Sequence, residues 1–112
     1  LLIVGPETVR QTADEFFYLK LDDLAVKGKT VGLEIYTVLD TAYPKDKPTH
    51  DKMHTLYKSQ KFTDAIKLCK QLQGRFDGQM DRYYDMWIER CEYMNTQNLP
   101  KDWSGVFIAT TK

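Results

Sequence analysis

The spacing of apolar residues changes near the middle of the chain. Before residue 41 they alternate in twos, and from residue 50 onward they recur at three and four. A strand-rich segment is therefore expected ahead of a helical one. The opening "LLIV" (1–4) is apolar and is stopped by Gly5-Pro6, as a buried strand would be. Pro6 and Glu7 then suit the first turn of a short helix over roughly 6–14, where proline needs no N–H partner and a carboxylate faces the positive helix end. In "FFYLKLDDLAV", Phe17, Leu19 and Leu21 share one face; in "VGLEIYTVL", Val31, Leu33, Ile35 and Leu39 do. Two alternating runs joined by "KGKT" predict a β-hairpin, with Gly28 supplying the positive φ that such turns require.

The second half is helical by the same test. "TAYPKDKPT" (41–49) has two prolines among polar residues and marks a linker or stiff corner. "HDKMHTLYKSQ" then places Met53, Leu56 and Tyr57 on one side. "KFTDAIKLCKQL" places Phe62, Ala65, Ile66, Cys69 and Leu72 at helical spacing, with Gly74 suited to end that helix. The third run is the longest: Met80, Tyr83, Tyr84, Trp87, Ile88, Cys91 and Met94 hold one face. After Pro100, the apolar Trp103, Val106, Phe107 and Ile108 can cover an exposed helix face. The expected fold class is α+β: a short strand, helix and β-hairpin in residues 1–40, a linker at 41–48, and a three-helix extension with a capping tail in 49–112.

Composition narrows the function classes. With 112 residues, 42% of them apolar, the chain can bury one modest core or be part of a larger one. Sixteen basic residues balance sixteen acidic ones, so there is no general pull toward nucleic acid or anionic lipid, and neither is expected as a partner. Charge does divide: residues 1–40 hold four basic and seven acidic residues, net −3, and residues 41–112 hold twelve and nine, net +3. No run approaches the roughly 18 apolar residues of a membrane span, and "LLIV" is too short for a signal-peptide core, so a soluble segment without membrane contact is expected. The start in mid-pattern, without methionine, suggests a piece of a longer protein. Cys69 and Cys91 both fall on apolar stripes, which favours buried free thiols and a reducing, cytoplasmic setting, with a disulfide as the alternative.

On residue type alone, several features have plain readings. Lys27, Gly28 and Lys29 make an ordinary solvated hairpin tip. His50 and His54 lie one helical turn apart and could face one metal, but no third ligand is evident; a solvated pair is expected, and no metal. Asp22 and Asp23, as neighbours on a strand, point to opposite faces and are expected in solvent rather than on a metal. The Tyr83, Tyr84, Trp87 stripe reads as core, not as a base-stacking platform.

Two resemblances add to this. "YKSQKFTDAIKLCKQL" resembles the middle of a tetratricopeptide (TPR) repeat, carried by Tyr57, Phe62, Ala65 and Ile66. With a single copy plus one helix, it looks like a capped remnant rather than an array. "LDDLAVKGKTVGLEIYTVL" resembles the C-terminal hairpin of class III nucleotide cyclases, in which a V-K-G-K turn precedes a strand ending in an aromatic residue and leucine; Val26 to Lys29 and Tyr36 to Leu39 carry it. "IVGPETVRQTADEFF" is similar to the strand and helix before that hairpin. "YYDMWIERCEYM" and "LPKDWSGVFIATTK" resemble the tail of bacterial cyclases of this class that have an extracytoplasmic sensor of the CHASE family.

The resemblance implies a fragment of an adenylate or guanylate cyclase, which makes a 3′,5′-cyclic nucleotide from ATP or GTP in intracellular signalling. It implies Lys27 as the cation at the substrate triphosphate, Gly28 for close backbone approach and Lys29 as a second charge at the mouth. It also implies Mg²⁺ or Mn²⁺ for the full-length enzyme and a second cyclase domain as dimer partner. The family's metal-binding aspartates lie upstream of this segment, so the fragment alone is not expected to catalyse. Where the family often has E-P after the turn, this chain has Val31-Gly32. The alternative from another class is a non-enzymatic, TPR-like module that binds a regulatory protein.

Overall fold

A computed structural model describes residues 2–26 and 33–109. The chain is α+β and forms two compact units, residues 1–42 with 105–112, and residues 43–104. The second unit is thus inserted into the sequence of the first.

The first unit is built on a sheet. Strand β1 (Ile3–Val4) leads into helix α1 (Pro6–Thr12), then β2 (Phe17–Val26) and β3 (Leu33–Leu39). Helix α1 starts at Gly5 with proline in its first turn and carries a Glu7–Arg10 ion pair on its exposed side. It is shorter than its sequence pattern implied and buries none of its side chains. The hairpin is antiparallel and runs from the Phe17↔Leu39 rung to the Leu24↔Leu33 rung. β1 pairs antiparallel with β3, and the Thr37 hydroxyl donates to the Leu2 carbonyl at 2.7 Å to hold it there. The strand order is β1-β3-β2-β4, where β4 (Phe107–Ala109) pairs parallel with Leu24, Ala25 and Val26. Phe107 and Ile108 were expected on a helix face; their backbone instead extends the sheet.

The second unit is three helices, α2 (Lys47–Lys58), α3 (Phe62–Leu72) and α4 (Asp81–Met94). α2 begins inside the proline-containing linker because Pro48 sits in its first turn, where an N–H is not needed. Met53 and Tyr57 of α2, Phe62, Ala65, Cys69 and Leu72 of α3, and Tyr83, Tyr84, Trp87, Cys91 and Met94 of α4 are buried. The predicted stripes therefore converge on one core, with Ile66 and Ile88 half-buried at its margin. Beyond α3, Gly74 takes φ +82°, and its N–H donates to the Asp81 carboxylate at 2.7 Å. A short 3₁₀ turn (Phe76–Gly78) follows, in which Phe76 and Asp77 hold positive φ while the Phe76 ring is buried against Tyr43 at 5.3 Å. Of the tail residues, Trp103 covers the helices, edge-on to Tyr57 at 5.2 Å and Phe62 at 5.9 Å. Cys69 and Cys91 are buried free thiols.

Candidate functional site

The site carried by the sequence is the connection between β2 and β3. Lys27, Gly28 and Lys29, with Thr30, Val31 and Gly32, lie outside the described residues. What is described is the hairpin that presents them, and it departs from a regular ladder at one place.

Lys20 pairs with Tyr36, but the next rung joins Asp22 to Ile35, so Leu21 is an extra residue and β2 carries a β-bulge. A one-residue insertion exchanges the two faces of everything after it. Asp22 consequently takes the rung position opposite Ile35, on the face shared by Leu19, Thr37 and Leu39, and is buried. The expectation that Asp22 and Asp23 are solvent-facing is therefore corrected: the bulge carries Asp22 inward, and its carboxylate accepts the Asp23 N–H at 2.9 Å.

The same bulge assembles an ion cluster on the opposite face. Residues 20 and 23 would lie on opposite sides of a regular strand. Here Lys20 Nζ reaches both Asp23, at 3.0 Å, and Glu34, at 3.1 Å. Burial would lower the Lys20 ammonium, but its hydrogen bonds to the two carboxylates outweigh that and hold it above the ordinary lysine value. Burial, and then the Glu34 charge, push the Tyr36 hydroxyl up. Lys20 is thus committed to carboxylates of the hairpin. The sequence contained a signal for the bulge: Leu21 and Leu24 are three apart, which breaks the period of two.

At the far end of the hairpin, beside the Phe17↔Leu39 rung, a cleft of about 330 Å³ opens between Asp14, Glu15, Phe16, Phe17, Leu39 and Asp40. Three carboxylates line it, a charge opposite to what a triphosphate needs. Phe17 at this cleft and Val26 at the end of β2 are nine residues apart, roughly 30 Å of extended chain. Among the described residues, no three His, Cys, Asp or Glu side chains gather as metal ligands.

In the helical unit, the expected solvated pair of His50 and His54 is also corrected. His50 is fully buried, and its Nδ1 shares a hydrogen bond with the Tyr84 hydroxyl at 2.7 Å. His54 is half-buried, sharing one with the Tyr83 hydroxyl at 3.0 Å through Nε2, with its ring edge-on to Trp87 at 4.8 Å. Adjacent tyrosines on α4 thus meet histidines one turn apart on α2, so the pair is a polar seam between helices. Helical periodicity marked Tyr83 and Tyr84 as core, but nothing in it said which polar groups would satisfy their hydroxyls. Comparison of the chain with family models, with curated proteins and with solved structures finds no match.

Proposed function

We propose that the sheet unit is the C-terminal strand, helix and hairpin of a class III nucleotide cyclase, and that Lys27 is its contribution to chemistry. The observation that carries this reading is the antiparallel β2–β3 pairing, which makes the lysine-glycine-lysine segment the connection of a hairpin. β1 and α1 ahead of the hairpin support it by supplying the order that the sequence resemblance implies. In the reaction, the ribose 3′-hydroxyl attacks the α-phosphorus and loses its proton, the bond from that phosphorus to the bridging oxygen breaks, and pyrophosphate leaves. Charge grows on the leaving group, and a compact ammonium at Lys27 neutralises it as it forms. Gly28 lets the backbone approach, and Lys29 adds charge at the rim.

The resemblance puts the family's metal-binding aspartates upstream of this segment, so the role given to the segment is the lysine's alone, and the Mg²⁺ or Mn²⁺ sites are assigned to the rest of the parent enzyme. The helical unit is read as a TPR-like extension. In support, Tyr57 and Phe62 pack edge-on at 5.5 Å across the turn between α2 and α3, and Ala65 is buried.

The test is a paired assay in the full-length parent. Lys27→Ala is expected to lower cyclic-nucleotide production by roughly ten- to a thousand-fold, with circular dichroism unchanged. Lys29→Ala is expected to be milder, since water screens a rim charge. Full activity in both variants would leave residues 27–29 a solvated tip and shift the function to the helical unit as an interaction module.

A further inference from the structure

Helices α3 and α4 pack side by side, and their solvent faces carry opposite charge. On α3, Lys67 and Lys70 are exposed beside half-buried Ile66; on α4, Asp85, Glu89 and Glu92 are exposed beside half-buried Ile88. Steps of three and four make each set one continuous helix face. At the end of α3, Gln73 Nε2 donates to the Asp85 carboxylate at 2.8 Å and the Gly74 N–H to the Asp81 carboxylate at 2.7 Å, both at the surface. The end of α3 thus adjoins the start of α4, so the two helices run antiparallel, with Gln73 and Asp85 level on the outer side. At about 1.5 Å rise per residue, Lys70 and Lys67 lie roughly 4.5 and 9 Å from that level along α3, and Glu89 and Glu92 roughly 6 and 10.5 Å along α4. The basic and acidic rows match in height. Among the described residues, none of these four side chains makes an ion pair.

We infer that this face binds a second copy of the chain, with α3 of each protomer lying on α4 of the other. A twofold axis parallel to the helices keeps every residue at its height and exchanges left for right, which sets basic row on acidic row in both directions. Lys70 then meets the partner's Glu89, Lys67 meets the partner's Glu92, and Ile66 and Ile88 are covered between the rows. Packing α3 on α3, or α4 on α4, would oppose like charges and is disfavoured. The exposed residues of the other sign, Asp64 on α3 and Arg82 on α4, lie at opposite ends of the stretch. The contact belongs to residues 43–104 alone and does not rest on the cyclase reading.

The test is sedimentation equilibrium of the full chain, with circular dichroism as the control of folding. The chain is expected to show a reversible monomer–dimer equilibrium that weakens as salt is raised, because exposed ion pairs are screened. Lys67→Glu/Lys70→Glu and, separately, Glu89→Lys/Glu92→Lys should each weaken the dimer by about tenfold or more, since every pair across the twofold becomes repulsive. All four positions are at the surface, so the helical signal should not change. The neutral pair Lys67→Gln/Lys70→Gln should weaken the dimer less than the glutamates do.

Mixing the two charge-reversed proteins in equal amounts decides the matter. One then carries acidic rows on both helices and the other basic rows on both, so a reciprocal contact should return as a heterodimer although neither protein pairs with itself. A wild-type chain that stays monomeric at every concentration would overturn the inference and leave the face to solvent or to a different protein. A dimer that neither reversal weakens would place the contact elsewhere, and a mixture that fails to recover would show that the two rows do not face one another; either result overturns it.

Discussion

In the helical unit Trp87, Tyr57, Tyr84, Phe76, Met53, Leu72 and Met80 are all essentially inaccessible; in the sheet unit the described side chains buried to that degree are Leu19 and Thr37. The exposed large apolar residues divide the other way. Leu2, Ile3, Phe16 and Leu33 are more than half exposed in the sheet unit, against Tyr93 in the helical one, where Met86 is exposed to a lesser degree. Three helices can turn their stripes toward one another and close a core, because each has only one apolar face to hide. A sheet has two faces and needs a layer on each apolar one. Helix α1, seven residues long and with no buried side chain, is too small to be that layer. Stability is therefore expected to reside in residues 43–104.

The largest effect that tests this contrast is at Trp87. Its ring is edge-on to Tyr57 at 4.5 Å and His54 at 4.8 Å, and Arg90 lies over it at 4.7 Å. Trp87→Ala should cost about 3–5 kcal/mol, the range for large aromatic truncations in a core. Leu33→Ala, on the exposed part of β3, should stay within about 0.5 kcal/mol. Urea unfolding followed by circular dichroism measures both, and equal midpoint shifts would erase the distinction between the units.

A smaller effect is expected at the buried polar seam. Removing one partner of the His50–Tyr84 hydrogen bond leaves the other buried without it, a loss of about 1–3 kcal/mol for His50→Leu or Tyr84→Phe. The double variant should fall short of the sum by about 0.5 kcal/mol or more. Strict additivity in the same urea titration would show that the two groups do not stabilise one another.

The mildest effect appears only in alkali. Burial, and then the neighbouring Cys91, push the Cys69 thiol up to about 12; burial also pushes Cys91 up to about 12, against the lowering influence of Arg90. The ordinary thiol value is near 9.0. Between these values the unfolded chain releases protons that the folded chain keeps. Stability from the thiols is thus intact below about pH 9 and is lost as pH rises toward about 12. Tyr84, raised further by burial, adds to the same decline. Cys69→Ala/Cys91→Ala should flatten part of that slope in thermal melts taken across the range. An identical slope in both proteins would rule the thiols out as its source.

How much of this was readable depends on the distance over which each feature is set. Period two against period 3.6 located the hairpin and the three helices, since both periods arise from local backbone geometry. The start of α2 within the linker followed from a proline's tolerance of a first turn, which pattern alone places only loosely. The bulge at Leu21 was present as an odd spacing, yet whether Leu21 or Asp22 is the extra residue is settled by its rungs to β3. Lys27 and its neighbours were reached through sequence resemblance, not through periodicity. The tail was divided: Trp103 went to the helices, while residues 107–109 went to β2, and an apolar run of that length does not state which surface it will meet.

By itself, then, the sequence determined the α+β class, the hairpin, the three amphipathic stripes and the burial of Cys69, Cys91 and Trp87, because each depends on contacts or spacings within a single element. Tertiary structure alone decided that Asp22 turns inward, that Lys20 meets both Asp23 and Glu34, that His50 meets Tyr84, and that β4 returns to the end of β2. Lys20 and Glu34 are 14 positions apart, His50 and Tyr84 34, and Leu24 and Phe107 83, while the three-residue step from Lys20 to Asp23 depends on the bulge. Such partners are chosen by which faces the fold brings together, and no local preference of either residue specifies the other.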